Sequence, residues 1–419
     1  MVSMTQRYDT LPIIVRYLLL GLGIGNHIPG FVDAYYAPPQ FATMAKDLNL
    51  TPQLLLEEAK SLLSAIDRGE SLSYESGDLK VSGYETPHTG GEISSKRRAF
   101  LKAQTVGLLT TCRKLCGETI PYREEVELLY QVIPKKIDED EILYAHEQLN
   151  AVLGGKGELK DRLTAWRERQ IIPKAKLLDL VNQLSADFRD RTKSIFSLPE
   201  KESVEWILES DKPWSGFNYY LGNLKSKVAI NIDLPVQTTS IAHLVAHETY
   251  PGHHSEHCKK ELGLVEKYQF FEEAIFLIGT PQCVISEGLA DLGLEVLLGE
   301  DFETHLAVHF KDLSIAYDPQ EHSILRKAAG SMSGFRANAA LMLHDEHLEP
   351  DFVQEEMSRM MLLSEQRAAK TLQFLSDPLW RTYVFCYEEG LPLCRGYVNG
   401  SRDRFLRLLS EQMLPKELA

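Results

Sequence analysis

A twelve-residue stretch of the chain, 243–254, contains four histidines and one glutamate. Within it, His247 and Glu248 are adjacent, and a Pro-Gly pair separates them from two further histidines. A His-Glu pair with more imidazole one or two turns further on is typical of a zinc hydrolase helix. In such sites histidines hold the metal, and the glutamate takes a proton from the water that the metal activates. The stretch therefore predicts a zinc site with His247 as a ligand and Glu248 as the general base.

The spacing of these histidines departs from the HExxH pattern, because Pro251 occupies the position four residues after His247. On an ideal helix His254 would lie about 10.5 Å from His247 along the axis, too far to share one ion. Proline removes a backbone donor and Gly252 tolerates unusual backbone angles, so these two residues predict a break in the helix. A bulge at the break would bring His253 into the missing ligand position. The pattern slightly favours His253 as the second ligand and leaves His254 as the alternative.

The third ligand is expected from a separate helix, and the segment around Glu287 supplies it. Glu287 and Asp291 are four residues apart, so they lie on the same helix face. The interval of 40 residues from His247 to Glu287 leaves room for one helix and two loops. In one large class of zinc peptidases, such a glutamate binds the metal and an acid one turn later orients a ligand imidazole. We expect these roles for Glu287 and Asp291.

Two residues near the C-terminus are candidates for contacts with the substrate. Transition-state stabilisation needs a donor near the developing oxyanion, and Tyr387 is the candidate. Arg395 could pair with a substrate C-terminal carboxylate in a bidentate fork, which would make the enzyme a carboxypeptidase. The alternative is that the tyrosine is a core residue and the arginine a surface residue. Of the other histidines, His243 is interpreted as a partly buried helix residue and His257 as a solvated one.

The elements predicted around these residues are mostly helices. Residues 1–200 form a helical region that begins with a buried helix, Leu11 to Leu22. Alternating apolar residues from Glu202 to Leu234 predict a small antiparallel sheet beside the metal-binding helix. Helical patterns, including Glu266 to Ile278, then continue to the end, so 201–419 is the predicted catalytic region of one compact body. The segment 69–95, rich in Ser, Gly and Thr, is predicted to be a surface loop or a domain junction.

Composition narrows the class of protein and its partners. The 419 residues are 44% hydrophobic and 25% charged, as in ordinary folded enzymes. The formal net charge of −15 argues against nucleic acid or an anionic membrane as partner. Six scattered cysteines without a CxxC pair favour reduced thiols in a cytoplasmic protein. The apolar run Leu11 to Gly25 is too short for a membrane span and lacks the features of a signal peptide.

Three motifs resemble those of one bacterial family. The segment His247-Glu-Thr-Tyr-Pro-Gly-His-His254 resembles the HExYPGHH signature of the family called domain of unknown function 885. Glu287-Gly-Leu-Ala290 resembles its EGWA segment, and Tyr387-Glu-Glu-Gly390 resembles its C-terminal Y-x-x-G. That family is similar in fold to the mostly helical carboxypeptidase Taq family of HExxH zinc carboxypeptidases. The resemblance implies a helical zincin-like body with these motifs at its zinc site.

By this resemblance, His247, His253 or His254, and Glu287 are the ligands of one Zn²⁺ per chain, and Glu248 is the base. The chain departs from the family at Leu289, where a bulky aromatic is usual, and at Tyr383, where a glutamine is usual. These changes bear on substrate range more than on the metal core.

The sequence leaves three functional hypotheses open. The first is a zinc peptidase, preferentially a carboxypeptidase, that acts on peptide substrates. The second is a helical binding or scaffold protein in which the metal site is structural or vestigial. The third is a metal hydrolase of non-peptide amides or esters.

Overall fold

The computed structural model describes residues 11–72, 91–212 and 214–419, and helices make up most of these ranges. The predicted fold class, mostly α with a small sheet beside the histidine-rich helix, is confirmed. The predicted loop 69–95 lies mainly outside the described residues, and a helix already begins at Gly91.

The described residues of the first half of the chain form helices and one short strand, β1 (Val32–Tyr35). Its helices are α1 (Ile13–Gly25), α2 (Pro39–Leu48), α3 (Pro52–Asp67), α4 (Gly91–Leu115), α5 (Tyr122–Tyr130), α6 (Glu139–Val152), α7 (Leu159–Arg169) and α8 (Lys174–Phe196). The prediction that α1 is buried is confirmed. Its one charged residue, Arg16, is paired at 2.7 Å with Glu58, which offsets the cost of burying a charge.

Three strands form the sheet that supports the site: β2 (Ser203–Glu209), β3 (Gly216–Gly222) and β4 (Lys225–Asn231). The order is β2-β4-β3, in which β3 pairs antiparallel and β2 parallel with β4. The sheet is thus mixed, whereas purely antiparallel pairing was expected. Alternation in sequence indicates strands, but it does not reveal that β4 enters between the two earlier strands.

A second, two-stranded sheet joins distant parts of the chain. Strand β1 pairs antiparallel with β5 (Ile275–Leu277). The predicted helix from Glu266 to Ile278 is therefore wrong: a π-helical turn (Glu261–Glu266), a 3₁₀ turn (Phe271–Ala274) and β5 occupy this region. A short apolar run fits a helix or a buried strand equally well, and the hydrogen bonds offered by β1 decide between them.

The C-terminal helices complete the body. They are α9 (Thr238–Glu248), α10 (His253–Lys260), α11 (Gln282–Leu298), α12 (Phe302–Asp312), α13 (Pro319–Ser333), α14 (Phe335–His344), α15 (Pro350–Met360), α16 (Glu365–Ser376), α17 (Val384–Val398) and α18 (Arg402–Ser410), followed by a 3₁₀ turn (Pro415–Glu417). One apolar core contains residues of both predicted regions, such as Leu18, Leu277 and Phe385. Helices α11 and α17 approach closely, because a Cβ on Gly288 would lie 2.2 Å from the carbonyl oxygen of Gly390.

Candidate metal centre

The break after Glu248 separates the histidine-rich stretch into two helices. Helix α9 ends at Glu248, and α10 begins at His253. Across the break, the backbone N–H of Gly252 donates to the carbonyl oxygen of Ala246 at 3.0 Å. A Cβ on Gly252 would lie 1.9 Å from the carbonyl oxygen of His247, so only glycine fits here. The Pro-Gly pair thus turns the chain as expected and gives His253 a new helix start.

This turn brings three candidate ligands together from three helices. The Nε2 atoms of His247 and His253 lie 3.0 Å apart. Oε2 of Glu287, from α11, lies 3.2 Å from the first of these nitrogens and 3.8 Å from the second. The three ligand atoms are all within 4.8 Å of one another. The arrangement assembles His253, the favoured alternative, with His247 and Glu287.

The donor set and one unsatisfied atom fit a zinc ion. Oε1 of Glu287 accepts a hydrogen bond from the Tyr383 hydroxyl at 2.6 Å. Oε2 is buried and, among the described residues, faces the Nε2 atoms of His247 and His253 without a well-aligned hydrogen bond. A buried carboxylate oxygen without a partner is costly unless a cation or a donor binds it. Two imidazole nitrogens and one carboxylate leave a fourth position open, as in catalytic zinc sites.

Asp291 contacts His247 on the ring nitrogen that faces away from the other candidate ligands, as predicted. Its Oδ1 is 2.8 Å from Nδ1 of His247 and 3.3 Å from Nε2 of His243. Burial lowers the pKa of His247, but its contacts with Asp291 and Glu287 outweigh burial and raise the pKa well above its ordinary value. The carboxylates therefore favour positive charge at this point. The hydrogen bond on Nδ1 fixes the ring so that Nε2 faces the other two ligands.

Glu248 lies between the candidate ligands and strand β3. Its side chain is buried, and burial raises the pKa of its carboxyl. Asn218 of β3 donates from Nδ2 to the backbone oxygen of Glu248 at 2.6 Å. A Cβ on Gly216 would lie 3.2 Å from Oε1 of Glu248, which places the strand directly beside this carboxylate. A carboxylate with a raised pKa next to a ligand histidine suits a general base.

Tyr387 lies in the same region. Its ring is 5.5 Å from that of Tyr383, and the Arg336 guanidinium is 5.9 Å from its centre. Burial, followed by the charges of Glu287, Asp291 and Glu248, raises the pKa of Tyr387 well above its ordinary value. Its hydroxyl therefore keeps its proton, as a hydrogen-bond donor must.

Two predicted site residues are held elsewhere. His254 uses both ring nitrogens in a buried network, with Nε2 2.9 Å from Oε2 of Glu202 and Nδ1 2.7 Å from Oγ of Ser226. Its side chain points to the sheet, because successive helix residues point in different directions. Arg395 pairs with Glu295 at 2.8 Å, and 52% of its side chain is exposed. Neither residue belongs to the group around Glu287.

Two residues near the centre were not among the predicted site residues. Asp33 lies at a bulge in β1, and burial with the charges of Glu287 and Glu248 raises the pKa of its carboxyl to about 7. No sequence signal links it to a site more than two hundred residues away. Tyr383 had a signal, because it occupies a motif position where glutamine is usual. His257, expected to be solvated, is buried and stacked on Tyr220 at 4.5 Å.

Comparisons with known proteins bear on the fold alone. No protein-family model matches the chain, and no curated protein matches it. Among solved structures, it is similar to the crystal structure of "the putative lipoprotein from Colwellia psychrerythraea", with a TM-score of 0.52 and 15% identity. That similarity covers 90% of this chain and 71% of the other. Separately, no helix among the described residues is long and apolar enough to cross a membrane.

Proposed function

We propose that this chain is a zinc-dependent peptidase with one Zn²⁺ held by His247, His253 and Glu287. The observation that carries the proposal is the convergence of their three ligand atoms within 4.8 Å, one of them a buried oxygen without a well-aligned hydrogen bond among the described residues. Glu248 directly follows the first ligand and faces the same region. This combination of ligands and base is what hydrolysis by activated water requires.

Each residue of the group has a distinct part in the reaction. Zinc would supply Lewis acidity, which activates a water molecule and polarises the scissile carbonyl. Glu248 accepts the proton of that water on its carboxylate and passes it to the leaving amine. Tyr387 donates a hydrogen bond to the developing oxyanion. Asp291 and Tyr383 keep the ligand side chains of His247 and Glu287 in place.

The position of β3 supports a peptide as the substrate. Strand β3 is the last strand of its sheet, and in the described ranges it forms a ladder with β4 only. Glu248 lies against the face of the sheet at Gly216 and Asn218 of this strand, so a chain paired with the free edge would run close to its carboxylate. An extended peptide can pair with such an edge through its main chain, which accepts many side-chain sequences.

A carboxypeptidase preference needs a cation for the substrate carboxylate, and Arg395 is engaged with Glu295. We propose Arg336 in its place. It interacts electrostatically with Asp291, lies beside Tyr387, and is held by Glu388 at 2.8 Å. A guanidinium anchored by one carboxylate can still bind a second one through its remaining N–H groups.

The test combines metal analysis with peptide profiling. Protein purified without chelators should contain about one zinc per chain. In a peptide mixture analysed by mass spectrometry, it should remove C-terminal residues, and amidated peptides should resist. Glu248→Gln should keep the zinc and lower kcat/KM by about 10²- to 10⁴-fold, because the base is lost. Glu295→Gln, which removes a surface carboxylate, is the matched control and should retain activity.

Other outcomes would point to the alternative functions. Absence of stoichiometric metal would refute the proposal. Zinc that stabilises the protein without any peptide turnover would indicate a structural site in a scaffold protein. Cleavage of small amides or esters, but not of peptides, would indicate a hydrolase of another substrate class.

A cytoplasmic location, with no membrane and no nucleic acid as partner, is part of the same proposal. All six cysteines are free thiols, and five of them are buried. Unpaired thiols are typical of reducing compartments. The net charge of −15 supports the absence of polyanionic partners.

A further inference from the structure

The Nδ1 atom of His253, the second proposed ligand, contacts a serine hydroxyl and not a carboxylate. Nδ1 of His253 lies 3.1 Å from Oγ of Ser286. The same hydroxyl lies 2.5 Å from Oε2 of Glu256. Ser286 and Glu256 are only 1% and 2% exposed, so water does not compete for these bonds. His253, Ser286 and Glu256 thus form a buried chain of hydrogen bonds.

The ionised carboxylate of Glu256 determines the direction of these hydrogen bonds. Lys260 pairs with Glu256 at 2.9 Å, which keeps the carboxylate ionised and therefore an acceptor only. The single proton of the Ser286 hydroxyl must then point to Glu256. Its oxygen is left to accept the N–H at Nδ1 of His253. A neutral imidazole protonated at Nδ1 has its free lone pair on Nε2, the nitrogen that faces His247 and Glu287.

We propose that Ser286 and Glu256 are positioning residues that select the metal-binding tautomer of His253. Their effect on zinc affinity rests on the proposed function, whereas the tautomer does not require a bound metal. His247 is oriented directly by Asp291, but His253 is oriented through the serine hydroxyl. Lys260 pairs with the carboxylate of Glu256 and also lies 3.5 Å from that of Glu273.

The neighbouring histidine supplies a matched control. Nδ1 of His254 also lies near a serine hydroxyl, that of Ser226 at 2.7 Å. Nε2 of His254 is occupied by Glu202 at 2.9 Å, so no lone pair is left for a metal. Both serines are buried. Ser226→Ala and Ser286→Ala therefore remove the same group from two adjacent histidines, of which only one is a candidate ligand.

The experiment measures zinc affinity and the histidine tautomer in parent, Ser286→Ala, Glu256→Gln and Ser226→Ala proteins. Zinc affinity is measured by competition with a chelating indicator. We expect Ser286→Ala to weaken binding by about 10- to 100-fold, as for other partners of ligand histidines, and Glu256→Gln to weaken it less. Ser226→Ala should lower the melting temperature but leave zinc affinity unchanged. ¹⁵N NMR of the metal-free parent should show His253 protonated at Nδ1, and Ser286→Ala should reduce that population.

Two results would overturn the proposal that Ser286 and Glu256 select the tautomer of His253. One is a metal-free parent in which His253 carries its proton on Nε2, a measurement that needs no variant to fold. The other is equal zinc affinity for the Ser286→Ala and Ser226→Ala proteins. Failure of the proposed function can be told apart from these results, because the parent protein would then lack zinc or hydrolytic activity. The tautomer of His253 could still be measured in that case.

Discussion

Two adjacent histidines show how surroundings determine the role of a residue. His253 presents Nε2 to His247 and Glu287, whereas both nitrogens of His254 are used by Ser226 and Glu202. The imidazoles are chemically identical, and they differ only in what each nitrogen contacts. A ligand needs a free lone pair directed at the ion, so only one of the two is suited to bind it.

A third histidine of the same helix should make stability depend on pH. His257 is 7% exposed, and burial is the main reason why its pKa falls from 6.5 to about 3. As the pH falls, the imidazole of His257 is therefore protonated in the unfolded chain before it is protonated in the folded protein. Its contribution is fully present above pH 6.5 and is lost progressively towards pH 3, by about 1.4 kcal/mol per pH unit. His257→Phe, which can still stack on Tyr220, should remove this slope.

Urea denaturation of parent and variant at several values between pH 6 and 4 measures the difference. The two plots of unfolding free energy against pH should diverge, with the steeper fall in the parent. Parallel plots would show that His257 does not titrate as its burial indicates.

Among the elements, the break between α9 and α10 determines whether a site can form. Continued as one helix, the stretch would point His253 away from His247. Gly252 allows the turn, since a Cβ there would overlap with the carbonyl oxygen of His247. The close crossing of α11 and α17 at Gly288 and Gly390 similarly brings Glu287 near Tyr383 and Tyr387.

Replacement of Gly252 by alanine should therefore damage both stability and the site. The backbone would have to move to avoid a 1.9 Å contact, and we expect a loss of about 2 kcal/mol or more of unfolding free energy. Zinc affinity should fall with it, because His253 begins the displaced helix. Gly330→Ala is the control: that helical glycine has open space around it and should gain about 0.5–1 kcal/mol. Equal, small effects of the two substitutions would contradict a steric requirement at 252.

For the whole molecule, the candidate centre ties three helices to one another. His247, His253 and Glu287 come from α9, α10 and α11, and α11 packs on α17 as well. An ion that binds only the folded arrangement stabilises it by mass action. The gain in unfolding free energy depends on the free metal concentration, and it is lost when the ligand side chains are removed.

Zinc should therefore raise the melting temperature of the metal-free protein. At a free zinc concentration of about 100 Kd, the gain in unfolding free energy is about 2.7 kcal/mol. Thermal unfolding monitored by circular dichroism, with zinc and with a chelator, measures it. His253→Ala should lose most of this dependence, whereas Arg395→Ala, at the surface, should keep it. A zinc effect of the same size in the His253→Ala protein would place the ion elsewhere.

The sequence by itself determined the helical class and indicated most of the candidate centre. Apolar periodicity identified the helices, and residue types with their spacing identified His247, Glu248, Glu287 and Asp291 as a group. These inferences are possible because helix period and metal-donor chemistry are local properties of the chain. The Pro-Gly pair even predicted the break, since proline and glycine restrict or free the backbone wherever they occur.

Only the tertiary structure distinguished the surroundings of His253 from those of His254, because both ring nitrogens of His254 are used by Ser226 and Glu202 from the region of the sheet. It also brought Asp33 to the centre and paired β1 with β5, a contact between segments more than two hundred residues apart. Arg395 was placed at the surface for the same reason, since its partner lies on another helix. Such outcomes follow from packing between distant elements, which local patterns do not encode.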